Sequence, residues 1–320
     1  MKLALTSGPR RAENEFLLST VYCLLMNIIQ AIVLGIVQGL TEFIPVSSTA
    51  HLIFATRLTG LSQSLAAEQQ TAVIAVVQLG TLAAVLVYFA RDIWDICFAF
   101  VRDHLLLLRG RTPPGVEGTG LLGSRLSPDA KLGWLIFLGS LPIGVVGLLF
   151  KKQIEGTFTK NLWVIATMMV VVALLLLVAE KVGRRERGME QLGVGDALAV
   201  GFAQVLSLIP GASRSGSTIM GGLFAGERRE TAARFSFLLS IPAISASGLL
   251  EMKEAVHRLP AGSAVPLAVA TVVSGLVGYA SIWFLLRFLR EHSTAVFIGY
   301  RVIVGALILL LLLAGVINPL

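Results

Sequence analysis

The sequence predicts an all-α fold, a polytopic membrane helical bundle with two structural repeats and re-entrant or broken helices. Hydrophobic residues occupy 55% of the 320 positions and charged residues only 14%, whereas about 25% of an average soluble domain is charged. Several apolar stretches reach the roughly 20 residues that a helix needs to cross a bilayer. Two further apolar stretches are interrupted by Pro, Gly and clustered hydroxyl residues, and these two stretches are alike.

The uninterrupted apolar stretches predict membrane-spanning helices. In chain order they lie near residues 20–40, 71–90, 132–150, 161–180, 233–250, 262–287 and 295–317. Residues 41–56 and 195–225 are too broken to span and are predicted to be re-entrant or broken helices. Irregular backbone at membrane depth is tolerated only inside the protein or beside a wet cavity, because lipid cannot satisfy its amides. The two broken stretches therefore predict a polar cavity within the bundle.

The positive charge of the chain indicates membrane lipids as its neighbours. The formal net charge is +7, and the Lys and Arg residues lie in short loops between apolar stretches, where anionic headgroups attract them. Nucleic acid is therefore not a predicted partner. Two basic loops, residues 91–131 and 181–193, are separated by two spans, so both are predicted to be cytoplasmic.

An internal repeat links the two broken stretches. Residues 35–38 lead into Pro45 and a run of hydroxyl residues, and residues 201–204 lead in the same way into Pro210, with a gap of one residue. Membrane proteins built from repeats with interrupted helices commonly place their polar site where the broken elements meet, near the midplane. We therefore expect the polar residues of the two stretches to lie close together.

The repeat also suggests how the chain is organised. We predict a single integral membrane domain over residues 26–320, with repeat one at about 26–150 and repeat two at about 195–317. Residues 1–25 form an N-terminal extension that we hypothesise to be dispensable, because Met26 begins a compact apolar segment.

The first broken stretch carries two polar side chains on one helix face, followed by a group of hydroxyls. Gln38 and Glu42 are four residues apart and therefore share a face. An ionisable residue inside a membrane segment needs a compensating partner, so Glu42 is expected to bind a cation or pair with an Arg. Downstream of Pro45, three hydroxyls and an imidazole suit nucleophilic displacement assisted by a proton carrier: Ser47, Ser48, Thr49 and His51.

The second broken stretch has the composition of a phosphate site. Residues 210–218 combine two glycines, four hydroxyls and Arg214. Glycine lets backbone amides approach an anion, and the planar guanidinium fork binds phosphate oxygens in pairs. A helix beginning near Ser215 would add the positive end of its dipole. The candidate phosphate contacts are Gly211, Ser213, Arg214, Ser215 and Thr218.

At these residues the chain resembles the undecaprenyl-diphosphate phosphatase family, also called the bacitracin-resistance family. The resemblance rests on residues 38–51 (QGLTEFIPVSSTAH) and 210–218 (PGASRSGST). It continues through three shorter segments and so extends from about residue 26 to the C-terminus: VQLG at 77–80, FSFLLSIP at 235–242 and Tyr300-Arg301.

The resemblance implies hydrolysis of undecaprenyl diphosphate to the monophosphate and inorganic phosphate, which recycles the lipid carrier for cell-wall synthesis and confers bacitracin resistance. Carried over onto the matching motifs, Ser48 is the expected nucleophile, His51 its proton acceptor or donor, and Arg214 the clamp on phosphate charge. Ser47, Thr49 and Ser213 are second choices for these roles and are expected to contact the phosphate, and direct attack by water stays open.

The resemblance also implies that the bundle has two inverted repeats, whose re-entrant helices form the pocket. It further implies a cofactor and a location. A divalent cation, Mg²⁺ or Ca²⁺, is expected on Glu42, with Gln38 as a neutral helper because members have Glu or Gln at that position. The expected location is the bacterial cytoplasmic (inner) membrane, with the active site facing the periplasmic side. The expected partners are the polyprenyl diphosphate substrate and membrane lipids, with a homodimer as one arrangement.

A transporter or flippase for polyprenyl phosphates is the competing hypothesis. Inverted repeats and broken helices are typical of carriers, and the same pocket could bind a diphosphate headgroup and move it across the bilayer. Movement without phosphate release would be its signature. The pairing of Ser48 with His51 favours hydrolysis.

Overall fold

The computed structural model describes residues 26–65, 67–114, 125–150, 161–258 and 263–319. These residues form helices and turns, and their only β-type pairing is an isolated bridge between Arg187 and Glu227. The predicted all-α class is therefore confirmed. The proposed N-terminal extension, residues 1–25, lies outside the described residues.

Twelve α-helices occur in the described residues. The first six are α1 (Ile28–Phe43), α2 (Ser48–Leu58), α3 (Leu61–Ser64), α4 (Ala67–Tyr88), α5 (Ala90–Leu108) and α6 (Pro128–Leu149). The last six are α7 (Leu162–Val182), α8 (Val194–Val205), α9 (Arg214–Phe224), α10 (Arg229–Arg258), α11 (Ala264–Glu291) and α12 (Ala295–Leu313). Short 3₁₀ turns precede α8 and follow it, at Met189–Gln191 and Leu206–Leu208.

Five helices in the described residues are long and apolar enough to cross a membrane. They lie at Gln69–Tyr88, Pro128–Leu149, Leu162–Val182, Ala264–Glu291 and Ala295–Leu313. Each coincides with a predicted span, so the chain is a multi-pass membrane protein. Shorter apolar helices occur at Ile28–Phe43 and Val194–Leu208, beside the breaks that the sequence predicted.

The prediction of a loop over residues 91–131 was wrong for its first half, which forms the helix α5. Asp92, Arg102 and Asp103 interrupt its hydrophobicity and hide it from a search for spans. Its apolar residues nevertheless recur at helical spacing, with Trp94 and Phe98 among those exposed at the surface. A helix with this pattern has one lipid-facing side and one polar side.

The two broken stretches form helical hairpins that enter the bundle from opposite ends. In the first, α1 and α2 are joined at their open end by a 2.8 Å hydrogen bond from the side-chain Nε2 of Gln30 to the backbone carbonyl of Thr59. That end lies beside the start of α7, because Arg57 contacts Asn318 while the next residue, Pro319, accepts a hydrogen bond from the Leu162 amide.

In the second hairpin, α8 and α9 open at the other end of α7. The amide of Arg187, just before α8, donates to the carbonyl of Gly226, just after α9, at 3.2 Å. Glu180, near the end of α7, accepts hydrogen bonds from Arg229 at the start of α10. The hairpins therefore have the inverted relation that the family resemblance implied.

Close contacts between small residues fix both hairpins against spanning helices. A Cβ added to Gly39 of α1 would lie 2.8 Å from the carbonyl oxygen of Ser274 in α11, and one added to Gly201 of α8 would lie 2.4 Å from that of Gly139 in α6. Small residues let membrane helices approach closely enough for dispersion contacts to hold them. The turns of the hairpins, residues 44–47 (the first tip) and residues 209–213 (the second tip), are thereby held inside the bundle.

Candidate active site

An ion pair joins the two hairpins next to their tips. Arg214, the first residue of α9, donates from Nη2 to Oε1 of Glu42, which lies 172 positions earlier at the end of α1. Glu42 is buried, with 7% of its surface exposed. The repeat predicted that Glu42 and His51 would lie towards Arg214, and the ion pair agrees with this for Glu42. The hydrogen-bond partners of His51 are instead Ser47 and Tyr300. The second terminal nitrogen of Arg214, Nη1, makes only a 3.5 Å contact to the carbonyl of Ser240. Nη1 therefore retains N–H donors for a further anion.

The first tip ends in strained backbone that begins α2. Ser47 is the N-cap of α2 with φ at 78°, a left-handed value that side-chain-bearing residues rarely adopt, and its buried hydroxyl has no hydrogen-bond partner. Ser48 follows as the first helical residue and is half-buried, and its side chain makes no hydrogen bond within the described part of the chain. Thr49 is exposed. The Ser48 hydroxyl is thus accessible and uncommitted, as a nucleophile must be.

His51 lies one turn further along α2 and is held through both ring nitrogens. Its Nδ1 is 2.7 Å from the carbonyl oxygen of Ser47, and its Nε2 is 2.6 Å from the hydroxyl of Tyr300. A carbonyl only accepts, so Nδ1 carries a proton and Nε2 of the neutral ring accepts from Tyr300. No hydrogen bond joins His51 to Ser48, so a proton passing between them requires a ring movement or an intermediary.

The second tip repeats the geometry of the first. Ser213 is the N-cap of α9 with φ at 68°, and its hydroxyl accepts from the amide of Gly216 at 3.2 Å. The second tip is one residue longer than the first, and Ser213 takes the place of Ser47 as the N-cap with positive φ. Strained backbone of this kind concentrates at functional sites.

The remaining candidates of this segment divide into two groups. Ser215 lies beside the cap, with its hydroxyl 3.2 Å from that of Ser213. Thr218 is fully buried and directs its hydroxyl to Ser236 at 2.5 Å and back to the carbonyl of Arg214 at 2.7 Å. The structure therefore brings Ser213 and Ser215 to the Arg214 end of α9, whereas Thr218 braces α9 against α10.

Two amide side chains surround the carboxylate of Glu42. Gln38 donates to Oε2 at 3.0 Å and Gln78 of α4 donates to Oε1 at 3.4 Å, while the buried Oε1 of Gln38 has no partner. An orphaned amide oxygen beside a carboxylate is the kind of oxygen donor that Mg²⁺ and Ca²⁺ prefer. Over the described ranges, no cluster of three or more His, Cys, Asp or Glu residues occurs. A cation held by Glu42 and Gln38 would take its other ligands from water and phosphate.

Three residues near the site were not chosen from the sequence: Gln78, Tyr300 and Arg301. All three fall in the short segments that extend the family resemblance, which is the signal that could have selected them. From the sequence alone, a role for Arg301 as an anchor at the membrane surface is as plausible as a contact with phosphate. The structure instead buries Arg301 completely, with 0% of its surface exposed.

Comparison with known proteins gives a consistent assignment. The sequence model of the family described as "Bacitracin resistance protein BacA" matches residues 31–307. A protein of Syntrophobacter fumaroxidans named undecaprenyl-diphosphatase is 50% identical over 89% of this chain and 97% of its own length. Proteins of the same name from Mycolicibacterium gilvum and Myxococcus xanthus are 47% and 46% identical, covering 91% and 92% of this chain and 99% and 92% of their own. The chain therefore belongs to the bacitracin resistance protein BacA family.

Proposed function

We propose that this protein hydrolyses undecaprenyl diphosphate to undecaprenyl phosphate and inorganic phosphate. The observation that carries the proposal is the meeting of Glu42 and Arg214, from opposite hairpins, beside the N-terminus of α9 inside a membrane bundle. A guanidinium and a helix N-terminus together favour a phosphate. Relatives named undecaprenyl-diphosphatase at 44–50% identity supply the specific substrate. The product would return to cell-wall synthesis, and loss of the diphosphate would protect the cell from bacitracin.

In the proposed reaction, Arg214 and the amides at the start of α9 neutralise the charge on the phosphate being transferred. Phosphoryl transfer depends mainly on such positioning and electrostatic stabilisation. The Ser48 hydroxyl attacks the terminal phosphorus and loses its proton to His51 through a ring movement or an intermediary. The bond between that phosphorus and the bridging oxygen breaks, and undecaprenyl phosphate leaves. Water then releases inorganic phosphate and restores Ser48. In the alternative scheme, water attacks the phosphorus directly and His51 takes its proton. Replacing Ser48 distinguishes the two schemes.

A divalent cation is part of the proposal. Glu42 and Gln38 would hold it, and it would supply positive charge opposite the phosphate oxygens. The orphaned amide oxygen of Gln38 beside Glu42 supports this assignment. Glu42 would then balance two cationic groups, the metal and Arg214, which explains why a carboxylate occupies this depth.

The proposed location is the bacterial cytoplasmic membrane, with the pocket accessible from the outer side. The distribution of basic residues supports this orientation, since short cytoplasmic loops are enriched in Lys and Arg. Around the end of α7 and the start of α10 the described basic residues include Lys181, Arg184, Arg185, Arg187, Arg228 and Arg229. The first hairpin, which carries Ser48, opens at the opposite end. A homodimer stays a prediction.

Transport of a polyprenyl phosphate is the second candidate, because hairpins entering from opposite ends are typical of carriers. An assay in detergent micelles distinguishes the two functions. Micelles do not divide two compartments, so a carrier would produce no signal there, whereas a phosphatase would release phosphate. We expect the purified wild-type protein with Mg²⁺ to release phosphate from undecaprenyl diphosphate, and Arg214→Ala to release none. Arg57→Ala, on the far end of α2, is the matched control and should keep wild-type activity.

Ser48→Ala distinguishes the two routes of attack. Loss of at least about a thousandfold in kcat would assign the nucleophile to Ser48, whereas a loss below about tenfold would assign it to water. A well-folded wild-type protein that released no phosphate under these conditions would overturn hydrolysis and favour transport.

A further inference from the structure

Arg301, in the first half of α12, is the largest fully buried side chain among the described residues. Its guanidinium has no carboxylate partner in the ranges that the structure describes, and all three of its nitrogens donate to backbone carbonyls. Ionisable residues at membrane depth are rare, pair with one another or with backbone carbonyls, and usually mark functional sites. An unneutralised guanidinium satisfied entirely by carbonyls therefore requires a reason specific to this site.

The carbonyls that Arg301 contacts come from three separate parts of the chain. Nε donates to α7 at 3.2 Å, Nη1 donates to the first tip at 3.3 Å, and Nη2 donates to the second tip twice, at 3.0 Å each, with a longer 3.4 Å contact to α7. The acceptors are Met169 for Nε, Pro45 for Nη1, and Gly211, Ala212 and Met168 for Nη2. One planar group thus joins both tips to a single spanning helix.

The acceptors lie directly before the residues of the candidate site. Pro45 is two residues from the strained Ser47, and Ala212 is next to the equally strained Ser213. Turns with unfavourable φ persist only when surrounding contacts determine them. Arg301 provides such contacts to both turns at once, directly before the Ser48 end of α2 and the Arg214 end of α9.

The charge of Arg301 also lies close to the start of α9. A Cβ added to Gly216, in the first turn of that helix, would be 3.1 Å from Nη1. Since no carboxylate cancels this charge, it adds to the positive end of the helix dipole and to Arg214. Arg301 contacts the tips through their backbone carbonyls. Its side chain therefore acts on a phosphate through the position of the tips and through the electric field of its charge.

We propose that Arg301 is a positioning residue that holds the two tips at the spacing one diphosphate requires, while its unneutralised charge helps to attract that diphosphate. The proposal rests on the proposed function, because it assigns Arg301 to the same pocket. It separates two properties of the side chain. The fork positions the catalytic groups and affects kcat, and the charge attracts the substrate and affects KM.

Two substitutions separate the fork from the charge. Arg301→Lys keeps the charge, but its single ammonium nitrogen cannot reach acceptors that are distributed around three nitrogens. We expect kcat for phosphate release from undecaprenyl diphosphate to fall about 100-fold, as for a small misplacement of reacting groups, with KM within about threefold of wild type. Arg301→Gln loses the charge as well, so KM should also rise by about tenfold.

Stability is measured on the same samples, because a merely structural residue would lower the unfolding temperature without changing the activity of the folded fraction. Arg229→Lys provides the comparison, since Arg229 bonds to Glu180 at the far end of α7. That variant should lose thermal stability and keep kcat. If Arg301→Lys and Arg301→Gln keep wild-type kcat per folded molecule, the proposal is overturned.

A pair of glycines on α12 tests the proposal if the Arg301 variants fail to fold. A Cβ on Gly305 would lie 2.8 Å from Val170 and 3.1 Å from the carbonyl of Ala166, so Gly305→Ala moves α12 from α7 without touching either tip. A Cβ on Gly299 would contact nothing within 4 Å. We expect about a tenfold loss of kcat for Gly305→Ala and none for Gly299→Ala.

Equal kcat values for the two glycine variants would overturn the assignment of Arg301. Phosphate release by the wild-type protein is the shared reference in these experiments. An inactive wild type refutes the proposed function itself, whereas an active wild type with unaffected variants refutes only the role of Arg301.

Discussion

Gly211 in the second tip has no room for a side chain, because it lies directly against the backbone of α7. Its φ is 91°, and a Cβ built there would lie 2.2 Å from the carbonyl oxygen of Ile165 and 2.8 Å from its carbonyl carbon. A left-handed backbone costs an L-residue about 1–2 kcal/mol, and overpacking adds about 1–3 kcal/mol. Gly211→Ala should therefore lose roughly 2–5 kcal/mol of folding stability unless the tip moves away from α7.

Moving the tip would in turn disrupt the site. The carbonyl of Gly211 accepts from Arg301 at 3.0 Å, and Ser213 two residues later caps the helix that carries Arg214. We expect kcat/KM for phosphate release to fall by about 100-fold or more, since displacements near 1 Å have effects of that size. Phosphate release and thermal unfolding in detergent would be measured on the same preparations.

Gly144→Ala is the matched control, because a Cβ at that helical position contacts nothing within 4 Å. It should keep full activity and gain a fraction of 1 kcal/mol or remain neutral. If Gly211→Ala had the activity and unfolding temperature of the wild type, the account of the second tip would be refuted.

Three further predictions concern pH, the imidazole and the cation. Burial, with the neighbouring charge of Asp196 adding to it, raises the pKa of Glu227 to about 8 from its ordinary 4.5. Between these values the folded protein holds a proton that the unfolded chain releases, so stability should fall as pH rises from about 5 to 8, by at most about 1.4 kcal/mol per unit. The unfolding temperature measured from pH 5 to 9 should fall in the wild type and fall less steeply in Glu227→Gln. Equal slopes in the two proteins would contradict a raised pKa of Glu227. Tyr300→Phe removes the hydroxyl on Nε2 of His51 and should lower kcat by about tenfold and shift the acidic limb of the pH–rate profile, whereas an unchanged profile would remove Tyr300 from the proton path. Chelation with EDTA should abolish phosphate release and added Mg²⁺ should restore it, and activity that persists in EDTA would contradict a cation on Glu42 and Gln38.

The sequence predicted those features of the fold that depend on local pattern. Apolar runs located the spans, and Pro45 and Pro210 with their hydroxyl-rich neighbours located both breaks. The similarity of the two stretches then predicted that they meet, as the ion pair between Glu42 and Arg214 now shows. The helix α5 was missed because its charged residues lower the mean hydropathy, although its apolar face has helical spacing.

The remaining parts of the site depend on contacts between distant residues, and local pattern carries little information about them. Arg301 bonds to Pro45 across 256 positions, and the same residue in an apolar helix could equally have pointed to the membrane surface. Tyr300 reaches His51 across 249 positions. Such partners are fixed by how α12 packs between the tips and α7, which emerges only from the three-dimensional structure.

The central claim is that the two hairpins contribute to one catalytic pocket, and a double-mutant cycle on phosphate release tests it most directly. The four proteins are wild type, Glu42→Gln, Arg214→Lys and the double variant. We expect each single change to lower kcat/KM by about 10²-fold, and the double variant to be within about threefold of the worse single one, because groups that act as a unit are strongly non-additive. Losses that multiply to about 10⁴-fold would show that Glu42 and Arg214 act independently, and would contradict a pocket shared by the two hairpins.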